Sequence, residues 1–215
     1  MYYVIRAPEL ARAKDFYTAV FGWSYTDDHH IQGSSPAGGL AEGEPGTDLY
    51  FEVPDVKAAA ARLREHGGDA PDPVLSKSGW STQAEGGLLA LWQPADGYAQ
   101  NNPKCAEGDL FYYVVPVADD AALERYQAAL GWTLSTGSHP NGWNIENSEP
   151  PGGVFVDHAD RPDLYFRVAD IDAAAQRVRD AGGTAGDTQP NSAGWHAACR
   201  DDQGVKFSIS SVRQS

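Results

Sequence analysis

The chain has 215 residues, 41% hydrophobic and 21% charged, with 23 Gly and 14 Pro. That is the composition of a soluble globular protein of one or two domains, and no apolar run approaches the ~20 residues that span a bilayer. Lys and Arg number 16 against 30 Asp and Glu, and the resulting −14 repels nucleic-acid phosphates and anionic lipid, so neither is an expected partner.

The first eight residues carry no basic region followed by an apolar stretch, so they do not read as a signal peptide. An extended segment from Tyr2 leads into a first helix over about Glu9 to Val20. Leu10, Ala13, Phe16, Tyr17 and Val20 make its buried stripe, and Gly22 ends it. His29 and His30 fall in a turn. Asp48 to Val53 alternates, with Leu49, Phe51 and Val53 on one face and Asp48, Tyr50 and Glu52 on the other. Asp55 is the expected N-cap of a helix over Val56 to His66, and Gly67 and Gly68 supply its left-handed stop. A turn-rich joint covers 94–108. Beyond it, Ala118 to Leu130 reads as a helix, and Asp163 to Val168 alternates as Asp48 to Val53 does. Asp170 caps a last helix over Ile171 to Ala181.

These elements repeat. DLYFEVPD at 48–55 recurs as DLYFRVAD at 163–170, and 14 of the 23 positions from 48 to 70 are identical to those from 163 to 185. Gly79 and Trp80 recur as Gly194 and Trp195 at the same offset of 115. Two homologous domains are therefore expected, 1–93 and 109–215. Each halves again into two strand–helix–strands modules. A module this small cannot bury its own sheet, so the expected class is α+β, with sheets curled into two open barrels and helices outside.

The two cysteines, Cys105 and Cys199, form no CxxC pair. A disulfide scaffold and a Cys-based zinc site are excluded, and a reducing cytoplasm is the expected compartment. The six histidines show no HxH or HxxxH spacing.

Three segments carry a resemblance. They are Arg6 to Trp23 with its helix-FY-x3-FGW pattern, Tyr50 to Asp55 with the following helix, and Gly87 to Pro94. With their repeats they resemble the vicinal oxygen chelate superfamily, that of glyoxalase I, bleomycin-resistance proteins and extradiol dioxygenases. The resemblance implies four βαβββ modules forming two glyoxalase-like open barrels. It also implies, for members with chemistry, a divalent metal held by a first-strand His or Gln, a His on the next module's first strand and a Glu on the last strand. Those positions fall on Tyr2, Asp48 and Leu91 in one half, and on Phe111, Asp163 and Ser208 in the other. One donor in each half is too few, so no metal and no cofactor is expected.

Strand parity then gives the expected ligand-binding residues. They are Tyr2, Arg6, Asp48, Tyr50, Glu52 and Leu91 in the first half, and Phe111, Tyr113, Asp163, Tyr165, Arg167, Lys206 and Ser208 in the second. Trp80 and Trp195 add stacking surfaces. The expected function is metal-independent binding of a small aromatic or cationic compound, as in the bleomycin type of antibiotic resistance. The alternative is a glyoxalase-like lyase, isomerase or dioxygenase-type enzyme with a non-standard or absent metal site, using Asp48 or Asp163 as base beside Tyr50 or Tyr165. Monomer and homodimer both stay open.

Overall fold

The computed structural model describes residues 1–96, 98, 106–157, 159–190 and 194–212. Cys105, His158 and most of the 94–108 joint lie outside the described residues. Among those described, the strands form two curled sheets of six and nine strands, accompanied by four α-helices. No helix is long and apolar enough to cross a membrane.

The elements are β1 (Tyr2–Ala7), α1 (Leu10–Phe21), β2 (Gly38–Glu42), β3 (Gly46–Glu52), α2 (Val56–Glu65), β4 (Val74–Ser76), β5 (Gly79–Ala84) and β6 (Leu89–Pro94). They continue as β7 (Leu110–Val117), α3 (Asp120–Leu130), β8 (Leu134–Thr136), β9 (Gly142–Ile145), β10 (Gly152–Val156) and β11 (Asp163–Arg167). Last come α4 (Ile171–Asp180), β12 (Thr184–Ala185), β13 (Gln189–Pro190), β14 (Gly194–Arg200) and β15 (Lys206–Val212).

The expected helices form within one or two residues of their sequence bounds. Asp55 accepts a hydrogen bond from Ala58 N at 3.0 Å, and Asp170 accepts from Asp172 N and Ala173 N. Gly22 and Gly131 end α1 and α3 in the left-handed conformation.

The chain divides into two compact units, each drawing on both halves of the sequence. The first comprises 1–2, 48–100 and 113–162. In it β6 lies between β3 and β5, with β4 outside β5. β10 lies between β7 and β9, with β8 outside β9. Helices α2 and α3 pack together, and Arg62 Nε donates to the Ala128 carbonyl at 2.8 Å in the last turn of α3. The core gathers Phe51, Tyr113 and Trp132, with Phe51 ring centroids 5.7 and 5.3 Å from the other two.

The second unit comprises 3–47, 101–112 and 163–215. Here β1 runs parallel to β2, β15 lies between β11 and β14, and β12 and β13 both pair with β14. Helices α1 and α4 pack together, and Arg177 Nε donates to the Val20 carbonyl at 2.8 Å. Arg62 and Arg177 occupy equivalent repeat positions. Each places a cation on the carbonyl end of a helix from the other half of the sequence, where unsatisfied carbonyls and the dipole favour it. The core is aromatic: Phe16, Tyr17, Phe21, Trp23, Phe166 and Phe207 form one connected cluster of rings, with Phe21 and Trp23 centroids 4.9 Å apart.

Cys199 is buried on β14, and burial pushes its thiol up to about 12. A thiol at that value is not a nucleophile at neutral pH. Native protein treated with iodoacetamide at pH 7.5 is expected to stay unmodified at position 199, and to react there only once unfolded. Peptide mapping checks this, and rapid native labelling would contradict it.

Candidate functional site

Strand register decides which residues share a face. In the first unit β3 and β6 are parallel, with Tyr50 opposite Ala90, Phe51 opposite Leu91 and Glu52 opposite Trp92. Asp48, Tyr50, Glu52, Ala90 and Trp92 therefore share one face, while Leu49, Phe51, Val53 and Leu91 share the other. The second face is apolar and buried. β5 is antiparallel to β6, with Ser81 opposite Trp92 and Gln83 opposite Ala90. Ser81 and Gln83 thus join the Tyr50 face, whereas Trp80 pairs with Gln93 and lies on the reverse.

The Tyr50 face is an aromatic wall. Tyr2 and Tyr50 meet edge to face at 6.4 Å, Tyr2 lies 6.5 Å from Trp92, and Trp92 meets Tyr98 edge to face at 5.6 Å. Gln83 Nε2 donates to the Tyr50 hydroxyl at 3.0 Å. Burial, then the neighbouring Tyr98 and Tyr50, hold the Tyr2 phenol well above its ordinary value. It stays protonated at neutral pH. Glu52 receives the Met1 ammonium at 3.6 Å.

Asp48 is the buried charge of this face, 4% exposed. Arg161, from the loop ahead of β11, donates from Nη1 to Asp48 Oδ1 at 2.5 Å and to the Gly87 carbonyl at 2.7 Å. A buried carboxylate needs such a partner.

In the second unit β11 and β15 are parallel, with Tyr165 opposite Ser208 and Arg167 opposite Ser210. β14 places His196 opposite Ser210, Ala198 opposite Ser208 and Arg200 opposite Lys206. One face thus carries Asp163, Tyr165, Arg167, His196, Lys206, Ser208 and Ser210. Tyr112 meets Tyr165 edge to face at 5.6 Å. The Tyr165 phenol is pushed up to about 12, first by burial and then by Asp163 and Tyr112.

The register brings together Tyr2, Asp48, Tyr50 and Glu52 in the first unit, and Asp163, Tyr165, Arg167, Lys206 and Ser208 in the second. Arg6 lies on the half-buried face of β1 with Val4. Five expected residues are placed elsewhere. Leu91 is fully buried beside Phe51, on the face of the sheet opposite Tyr50. Tyr113 is fully buried over Gly152, and Phe111 shares its parity, so Tyr112 takes the place expected of both. Trp80 lies under the Lys57 ammonium of α2, 4.5 Å from its ring centroid, which fixes it on the helix side. Trp195, its repeat counterpart, sits opposite Ser211 in the same off-face parity. Sequence reasoning missed Trp92, Gln83, Tyr98 and Arg161 in the first unit, and Tyr112, His196 and Ser210 in the second.

The observed parity changes which residues stand at the metal positions that the resemblance implies. The first-strand position carries Tyr2 or Tyr112, and the last strand presents Ala90 and Trp92, or Ser208 and Ser210. Asp48 is engaged by Arg161. Among the described residues no three His, Cys, Asp or Glu side chains gather. The donors present do not fit a family-type divalent ion.

Comparison with known proteins places this geometry. The family model for the glyoxalase-like domain matches residues 114–210. CFP32 of Mycobacterium bovis, named as a candidate glyoxylase, is 27% identical over 95% of this chain and 91% of its own length. The anthracycline biosynthesis protein DauV of Streptomyces sp. strain C5 is 26% identical over 97% of this chain and 91% of its own. The fold is shared with the Mn(II)-bound glyoxalase of Novosphingobium aromaticivorans, at TM-score 0.69 and 13% identity over 98% of this chain and 80% of that one. It is also shared with the 2,3-dioxygenase LapB of Pseudomonas sp. KL28, at TM-score 0.68 and 13% identity over 99% of this chain and 91% of that one. Residues 114–210 thus match the glyoxalase-like domain, and the chain shares its fold with a glyoxalase and an extradiol-type 2,3-dioxygenase.

Proposed function

We propose that this chain binds a small planar aromatic compound against the Tyr50 face, without a family-type metal. The observation that carries the reading is the wall of Tyr2, Tyr50, Trp92 and Tyr98, with ring centroids 5.6 to 6.5 Å apart along its contacts. Trp92 is buried, but Tyr2 and Tyr50 are half-buried and Tyr98 is exposed, which leaves ring surface for stacking a flat ligand, and Gln83 with the Tyr50 hydroxyl supplies the few polar groups that orient one. The likeness to a protein named for anthracycline biosynthesis supports looking among flat polycyclic compounds. A cationic ligand is disfavoured, because Arg161 already sits against Asp48.

The test is a thermal-shift screen against polycyclic quinones and smaller aromatic acids, followed by titration of tryptophan fluorescence. A ligand at 100 times its Kd raises Tm by roughly 5–10 °C for a chain of this size. Tyr50→Leu is expected to remove most of that shift. A panel without any shift would retire the reading. About one Fe, Mn or Zn per purified chain, lost in Asp48→Ala, would favour the enzymatic alternative.

A further inference from the structure

Arg161 stands where the resemblance leads one to expect a divalent cation. The family's second-module ligand position falls on Asp48. There a carboxylate that would face a metal instead accepts a hydrogen bond from Arg161 Nη1. The same nitrogen donates to the Gly87 carbonyl at the start of the β6 segment, so both Nη1 protons are spent on the protein. These two contacts fix the guanidinium plane. Nε and Nη2 make no hydrogen bond to any described residue, and the side chain is 31% exposed. The Nε–Nη2 edge of a guanidinium carries two parallel N–H groups with the spacing of a carboxylate's oxygens. Asp48 lies two residues from Tyr50 in β3, so Arg161 is anchored to the strand that carries Tyr50.

We infer that Arg161 is the anion-recognising residue of the site, and that the ligand is an aromatic acid or another aromatic compound with an oxyanion beside its ring. This rests on the aromatic-binding reading above and adds the sign of the ligand's charge. Asp48 is then a positioning residue that holds the guanidinium. A cationic ligand would meet Arg161 and be disfavoured.

The test uses three matched probes on the full chain at pH 7.5, with affinity read by tryptophan fluorescence and calorimetry. They are 2-naphthoate, neutral 2-naphthamide and the cation 2-naphthylmethylammonium. The expected order is naphthoate at least tenfold tighter than naphthamide, with the ammonium weakest. Arg161→Gln alone would strand Asp48, so the variant used is Asp48→Asn with Arg161→Gln, which leaves no unpaired buried charge. It should erase the preference for the acid while amide affinity stays within about twofold, since one lost charged hydrogen-bond pair does not touch the aromatic contacts. Equal binding of acid and amide by the parent protein would overturn the inference and leave aromatic binding standing. So would a preference for the acid that survives in the double variant, or a tightest-binding ammonium. Binding of none of the three would overturn both readings.

Discussion

Gly152→Ala is expected to cost about 3 kcal/mol of stability, and Gly38→Ala about the same, each lowering Tm by roughly 6–12 °C. Neither glycine has an unusual backbone conformation. The reason is a ring. A Cβ on Gly152 would fall 2.2 Å from Cζ of Tyr113, and one on Gly38 would fall 2.2 Å from Cζ of Tyr3. In both cases tyrosine and glycine are partners across a parallel strand pair, so the ring lies flat over the neighbouring backbone. Tyr113 cannot swing aside easily. It is fully buried, packs on Phe51 and shares a hydrogen bond of 2.6 Å with Ser148 Oγ. Overpacking therefore has to move a strand or evict an aromatic side chain. The check is chemical denaturation of Gly152→Ala, Tyr113→Leu and the double variant. The double variant should be more stable than the sum of the single losses predicts, because the smaller side chain makes room for the methyl group. A Gly152→Ala protein melting within about 1 °C of the parent would refute the packing argument.

The same tyrosine–glycine pairs explain where the sequence was legible and where it was not. β3 and β11 alternate strictly between charged or phenolic residues and aliphatic or phenyl ones, so each announces its own faces. Tyr50 and Tyr165 lie on the strand faces that this alternation predicts. β6 reads LALWQP and β7 reads LFYYVVPV, apolar on both faces, so neither sequence states which side is which. Only register with a neighbour settles the choice. Gly152 against Tyr113, and Gly38 against Tyr3, show that the equivalent of Tyr2 is Tyr112. The repeat itself misled at Trp80 and Trp195. Trp80 is held on the helix side by Lys57, while Trp195 in the same parity is 44% exposed, so the shared tryptophan does not mark a shared ligand face. Arg161 left no trace at all. It lies in a loop, its repeat position in the first half is Gly46, and its carboxylate partner is 113 residues away. A contact of that kind has neither period nor motif, and only the fold produces it.

Asp201→Ala is expected to cost about 2–3 kcal/mol at neutral pH, whereas Asp201→Asn should hold or raise stability. Asp201 is 4% exposed, at the turn between β14 and β15. Its Oδ1 accepts from Gln203 N at 2.9 Å and Val205 N at 2.8 Å, and its Oδ2 accepts from the Tyr17 hydroxyl at 3.1 Å. Alanine leaves all three donors without this partner, in a turn that ties α1 to the β14–β15 hairpin. Asparagine keeps the oxygen for both backbone donors and offers its NH2 to the Tyr17 oxygen, so the network survives with the charge removed. Burial raises the Asp201 carboxyl above its ordinary value, outweighing the donated hydrogen bonds. The sign follows from linkage. A folded-state pKa above the unfolded one means that the folded chain holds this proton more tightly. Its contribution to stability is therefore complete below the unfolded value of 3.8 and is lost as pH rises through the folded value. At neutral pH the parent carries a buried ionised carboxylate that the asparagine variant does not. The measurement is urea denaturation of parent and Asp201→Asn from pH 3.5 to 7.5. The stability of the variant relative to the parent should grow with rising pH over the acidic part of that range and then level off. A difference that shrinks with rising pH would mean that the three donors outweigh desolvation, and that the carboxylate is a net stabiliser of the turn.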